Sequence, residues 1–181
     1  MLPYAEGTSY DQDKGCLIGT RTELIDKILA WIKSPNHNEM TKIYYVYGVA
    51  GVGKTSIAHT IAHHCDVERI LMASFFFDGQ VAEKNRPKML FSTMARNLAD
   101  NNARLRQQIV HAIEDTRSLP GAAISVHFRE LILKTSHSLP DGLPVVMIID
   151  ALDEGCADGA RQVLQILRDE VPNSPALFAS F

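Results

Sequence analysis

The sequence predicts an α/β fold, a mostly parallel sheet with helices on both faces. Three observations carry that expectation. Apolar runs rich in β-branched and aromatic residues, Ile43 to Tyr47, Met72 to Phe77 and Val145 to Ile149, alternate with segments of helical period. A glycine-rich segment, Gly48 to Thr55, stands between the first run and a helical stretch, and the third run ends in carboxylates. Strands that alternate with helices are joined by right-handed crossovers, which lay the strands parallel.

Bulk properties set the frame. A chain of 181 residues, 46% hydrophobic and 22% charged, has the size and composition of one globular domain with a sizeable core. A net charge of -3 and a pI near 6.1 speak against a nucleic-acid backbone or an anionic membrane surface as the main partner. Cys16, Cys65 and Cys156 lie far apart and lack the close pairing of a zinc or redox site. No basic segment followed by an apolar run opens the chain, and no stretch reaches the ~18 apolar residues of a membrane span. The expectation is a soluble, cytoplasmic protein.

Residues 1–16 show neither period and are expected to form an extended, partly mobile lead-in, with the folded domain over 17–181. Leu24, Ile25, Ile28, Leu29 and Ile32 recur at helical spacing from Thr22 to Lys33, and Ser34-Pro35 ends that helix. A polar loop, Asn36 to Thr41, leads to the first strand, expected to be buried on both faces. Thr55 to His64 reads as a helix, Met72 to Phe77 as a second buried strand, and Lys88 to Leu98, Ala103 to Asp115 and Val126 to Ser136 as three further helices. Leu139 to Pro144 is a turn before the third strand. A helix from Ala160 to Val171 follows, and Ala176 to Ala179 begins a fourth strand.

Gly48-Val49-Ala50-Gly51-Val52-Gly53-Lys54-Thr55 fits the G-x-x-x-x-G-K-[ST] phosphate-loop pattern in the required context, after a strand and before a helix. Glycines let the loop curl so that the backbone N–H groups of Gly48, Ala50, Gly51, Val52 and Gly53 face phosphate oxygens, and the following helix adds its positive end. Lys54 would neutralise the β and γ phosphates, the Thr55 hydroxyl would ligate Mg²⁺, and Ser56 would support the α-phosphate. Asp150, ending the third strand, would hold Mg²⁺ through water, while Asp153 or Glu154 would orient an attacking water. His59 and His63, at i and i+4, share a helix face, yet with no further ligand set they read as solvated residues. Phe75-Phe76-Phe77 reads as buried strand, and Arg96, Arg104 and Arg106 as surface charges.

Together with Cys16-Leu17-Ile18-Gly19-Thr20-Arg21, Ser74-Phe75-Phe76-Phe77, His127-Phe128-Arg129-Glu130-Leu131-Ile132 and Ile149-Asp150-Ala151-Leu152-Asp153-Glu154, these motifs resemble the NACHT-type domain of STAND NTPases. The likeness is to the fungal form related to the N-terminal domain of nephrocystin, over about residues 16–180. It implies a three-layer P-loop NTPase fold of the ASCE type. It further implies a switch that is inactive with ADP, self-associates with ATP and is reset by slow hydrolysis. Residues Cys16 to Arg21 would line the adenine pocket. In such domains a small residue and further acids follow the Mg²⁺-associated acid, as Ala151, Asp153 and Glu154 do here. The absence of an N-K-x-D guanine motif favours ATP. The family's sensor arginine and fifth core strand would follow Phe181, so the chain reads as an incomplete domain whose loop strand lies at the sheet edge. The expectation is an ATP- and Mg²⁺-binding switch, with a non-hydrolysing nucleotide-binding scaffold as the alternative.

Overall fold

The computed structural model describes residues 2–34, 42–81, 86–139 and 145–181. Four parallel strands, β1 (Ile43–Tyr45), β2 (Leu71–Phe76), β3 (Val146–Asp150) and β4 (Leu177–Ser180), form one sheet in the order β1-β4-β3-β2. The domain is therefore α/β, and its all-parallel sheet is compatible with a Rossmann-like or P-loop arrangement. The chain leaves β1 toward one side of the sheet and steps back through β3 and β4, so right-handed crossovers place helices on opposite faces.

The period-two alternation of the strands sorts the core accordingly. Val146, Ile148, Leu177 and Ala179 pack with Ile25, Ile28 and Ile32 of α1 (Thr22–Ile32) and Ile57, Ile61 and Cys65 of α2 (Lys54–Val67). Met147, Ile149 and Phe178 face the other way. There they meet Phe91 and Met94 of α3 (Leu90–Asn101), Leu105 and Ile109 of α4 (Ala103–Asp115), and Val163 and Leu167 of α7 (Ala157–Glu170). Phe75 and Phe77 join this second core, whereas Phe76 turns toward α2. The triple phenylalanine is thus buried strand, as expected.

Between α4 and β3 the helical stretch is continuous but not uniform: α5 (Ile124–His127), a π-helical segment (Phe128–Leu133) and α6 (Lys134–Ser136) follow one another. The wider π turn turns Phe128, Leu131 and Ile132 into the core, with the Phe91 and Phe128 rings packed edge to face at 4.8 Å.

Two expectations need correction. The strand before the glycine-rich segment is not buried on both faces: β1 is three residues long, Tyr45 is exposed, and Tyr47 beyond it is 93% exposed. It pairs with β4 alone, so its other edge meets no strand among the described residues. His59 is not a solvated helix residue. It is buried, its ring stacks on Phe76 at 4.0 Å, and its Nδ1 accepts the Asp11 N–H. Burial, then the charge of Lys14, holds its pKa below the usual value, which keeps Nδ1 an acceptor.

The lead-in carries one 3-10 turn, Gln12–Lys14, and otherwise follows the domain surface with Ala5 and Thr8 buried. The expected loop at 36–41 and turn at 140–144 lie outside the described residues.

Candidate functional site

Every parallel strand points its C-terminal end to the same edge of the sheet, so the turns after β1 and β3 come together there. After β1 the chain passes through Gly48 and curls at Gly51 (φ +81°) and Gly53 (φ +89°), left-handed positions that strain any L side chain. Nothing lies within 4 Å of a Cβ built at either glycine, so the requirement there is conformational and not spatial. Gly53 caps α2, and its carbonyl accepts the Ile57 N–H. The first-turn amides of Lys54, Thr55 and Ser56 have no carbonyl partner within the helix, which makes this end an anion-attracting cradle. Lys54 Nζ reaches back over the loop to the Gly48 carbonyl (2.9 Å) and the Val49 carbonyl (3.4 Å). Arg21 steadies the other side of the loop by donating from Nη2 to the Val52 carbonyl at 3.0 Å.

Asp150 ends β3, with β4 lying between that strand and β1. It is 1% exposed, and its Oδ1 has no hydrogen-bond partner. Burial pushes the carboxyl up to about 6, against the opposing pull of the nearby Thr55 hydroxyl, the Ala151 N–H and the charge of Lys54; Glu154 adds to the rise. A buried carboxylate with an orphaned oxygen beside a hydroxyl and a lysine is a place built for a positive charge. Among the described residues no group of three or more His, Cys, Asp or Glu side chains could hold a metal ion. A cation here would have only the Asp150 carboxylate and the Thr55 hydroxyl from the protein. That donor set suits Mg²⁺, which keeps several waters and takes its remaining oxygens from a bound phosphate.

Past Asp150, Ala151 adopts a left-handed conformation (φ +53°) and donates its N–H to the Phe181 carbonyl. A β-branched residue would be a genuine outlier at that φ. The turn then presents two carboxylates differently. Glu154 Oε2 accepts the Gly79 N–H at 3.0 Å, which ties it to the segment after β2. Asp153 instead faces a cleft of about 580 Å³ shared with Lys54, Gly48, Tyr45, Tyr47, Arg161 and Leu164. A second cleft of about 570 Å³, walled by Pro87, Ile124, Cys156 and Gly159, is mostly apolar and lies apart from these groups.

The structure thus brings Gly48, Lys54, Thr55, Asp150, Asp153 and Glu154 to one end of the sheet, with Ala50, Gly51 and Val52 at the exposed loop tip. Ser56 lies in the first turn of α2, and its carbonyl accepts the Thr60 hydroxyl. His59 and His63 do not belong to the site. Sequence reading missed the Glu154–Gly79 bond and the cleft-facing Arg161. The first joins segments 75 residues apart and leaves no local signal, and the second is one helix arginine among several.

The sheet, its two helical layers and the loop–carboxylate junction define an α/β domain whose candidate site lies at the C-terminal edge of a parallel sheet. The chain matches the profile of the nephrocystin 3 N-terminal family over residues 19–179, and it belongs to that family. Comparison with curated proteins returns no significant match.

Proposed function

We propose that the chain is the ATP- and Mg²⁺-binding domain of a NACHT-type P-loop switch, with slow hydrolysis of the terminal phosphate. The observation that carries this reading is the buried Asp150 carboxylate, its Oδ1 unpartnered, beside Thr55 and Lys54 at the mouth of the Gly48–Thr55 loop.

In this reading Gly48, Ala50, Gly51, Val52 and Gly53 supply backbone N–H groups to the phosphates, and Ser56 supports the α-phosphate side. Lys54 leaves the Gly48 and Val49 carbonyls for the β and γ phosphates. Bound Mg²⁺ would neutralise phosphate charge, with Thr55 and Asp150 as its protein oxygens. Asp153, on the cleft wall, orients the attacking water. Exposed Leu17 and Ile18, four and three residues before the loop-bound Arg21, offer an apolar surface to the base. Self-association in the ATP state follows the same family resemblance.

Titration of the purified chain with ATP, ADP and GTP plus Mg²⁺, followed by single-turnover hydrolysis, tests the reading. Lys54→Ala is expected to weaken Mg²⁺-nucleotide binding by about 100-fold or more, and Asp153→Ala to slow turnover about 100-fold with affinity kept. Native-like ATP binding by Lys54→Ala would overturn the assignment. A second reading, a scaffold that binds nucleotide without turnover, is favoured by the Glu154–Gly79 bond, which leaves one of the two expected water-orienting carboxylates engaged elsewhere. Binding without hydrolysis in the same assay would select it.

A further inference from the structure

The lead-in crosses the β2 edge of the sheet and is fastened on both faces. On the α3 side the Ala5 N–H donates to Thr93 Oγ1 at 3.0 Å. At the edge itself the Phe76 N–H donates to the Thr8 carbonyl (2.9 Å) and the Tyr10 N–H to Ser74 Oγ (3.0 Å). On the α2 side the Tyr10 hydroxyl donates to Asp66 (2.6 Å), the Asp11 N–H to His59 Nδ1 (2.9 Å) and the Cys16 N–H to Thr60 Oγ1 (2.8 Å). The Thr60 hydroxyl in turn donates to the Ser56 carbonyl at 2.8 Å, within the first turn of α2. Five residues after Cys16, Arg21 holds the Val52 carbonyl. The same stretch of chain therefore holds the glycine-rich loop directly through Arg21 and reaches the first turn of α2, just behind the loop, through Thr60 and Ser56.

We infer that residues 5–21 form a regulatory strap whose docking across the β2 edge is coupled to the shape, and hence the ligand affinity, of the Gly48–Thr55 loop. The coupling is physical contact and not proximity. When the strap lifts, Thr60 loses the Cys16 N–H, and Arg21 is no longer held at the start of α1 against Val52. Each lost bond removes a constraint on the loop or on the helix turn that opens it. Coupling between sites is reciprocal, so a ligand that fixes the loop fastens the strap by the same factor. The lead-in is thereby a place where anything that binds or displaces residues 5–16 changes what the loop holds. The nucleotide side of this inference rests on the function proposed above; the strap-to-loop side does not.

Ser74 tests it, since it lies on β2, outside α2 and the loop, and its hydroxyl accepts the Tyr10 N–H of the strap. Amide hydrogen exchange is followed in the native chain and in Ser74→Ala, with Tyr10→Phe, which removes only the exposed bond to Asp66, as a second variant. Losing one such bond is expected to speed exchange at the Tyr10 and Asp11 amides about fivefold, with a matching rise across residues 52–58 and a matching rise in the Mg²⁺-ATP dissociation constant. Faster exchange in the strap with residues 52–58 unchanged in both variants overturns the coupling. If strap and loop loosen together while the native chain binds no nucleotide, the coupling stands and the proposed ligand is wrong. If the native chain binds ATP and both variants bind it with the same affinity despite a loosened strap, the regulation fails and the site reading stands.

Discussion

At Asp150 the chain carries an internal conflict that a ligand would resolve. A carboxyl raised from 3.8 to about 6 by burial destabilises the folded state whenever it is ionised. The folded form binds its proton more tightly than the unfolded one, so stability is highest below pH ~4. It falls as pH rises toward 6 and is then constant, a loss of about 3 kcal/mol from this group alone. Asp150→Asn keeps the size of the side chain and one carbonyl oxygen and removes the charge. Its melting temperature should exceed that of the native chain at pH 7.5, with the difference shrinking to near zero at pH 4. The same variant should lose Mg²⁺-dependent nucleotide binding. A variant that is less stable than the native chain at pH 7.5 would show that the ionised carboxylate is satisfied within the fold, and the argument for a cation there would go. Stability given up at one residue is the usual signature of a functional position.

Helix α7 meets the segment before α3 without room for a side chain. A Cβ at Gly159 would lie 2.6 Å from Pro87 Cγ and 2.8 Å from Pro87 Cβ, a rigid ring that cannot swing aside. Gly to Ala inside a helix ordinarily stabilises by about 0.4–1 kcal/mol. Here overpacking of about 1–3 kcal/mol opposes it, so Gly159→Ala should lower the urea midpoint, and Pro87→Gly, which removes both contacting carbons, should make the same Gly159→Ala change cost less in the double variant. A raised midpoint in the single variant would refute the close approach. Elements of this kind show what was legible. Helices α1 and α4 follow their apolar period almost to the residue, and β3 announces itself by an unbroken apolar run, because burial there is set by residues close in sequence. The π segment and the packed lead-in are not legible in that way. Phe128 to Leu133 keeps a helix-like pattern whose extra residue per turn no local rule demands, and the lead-in is fastened by backbone N–H groups to Ser74, His59, Thr60 and Thr93, 44 to 88 residues away. The site divides the same way. Loop and Asp150 are readable as pattern, whereas the separation of Asp153 from Glu154 depends on Gly79.

The two edges of the sheet are treated unequally. At β2 the strap occupies the edge, with Thr8 paired to Phe76. At β1, Lys42 and Val46 exchange bonds with Phe178 and Ser180, so by the alternation of a parallel ladder Ile43, Tyr45 and Tyr47 turn their backbone groups outward. Lys42 reinforces the inner side by donating to the Pro172 and Ser174 carbonyls, which fixes the strand, while its outer edge meets no strand among the described residues. An open edge bearing aromatic side chains is a template for pairing with another chain. The isolated chain should therefore self-associate with rising concentration, and sedimentation velocity would record it. Tyr45→Pro removes an N–H that faces outward and keeps the ladder to β4, a substitution tolerated on edge strands. It should shift the chain toward monomer with an unchanged far-UV spectrum, and Tyr45→Lys, which sets a charge on the same edge, should do likewise. If Ser74→Ala promotes association more strongly than Tyr45→Pro suppresses it, the strap-covered edge and not the open one governs assembly, and the lead-in protects the molecule as well as tuning its loop.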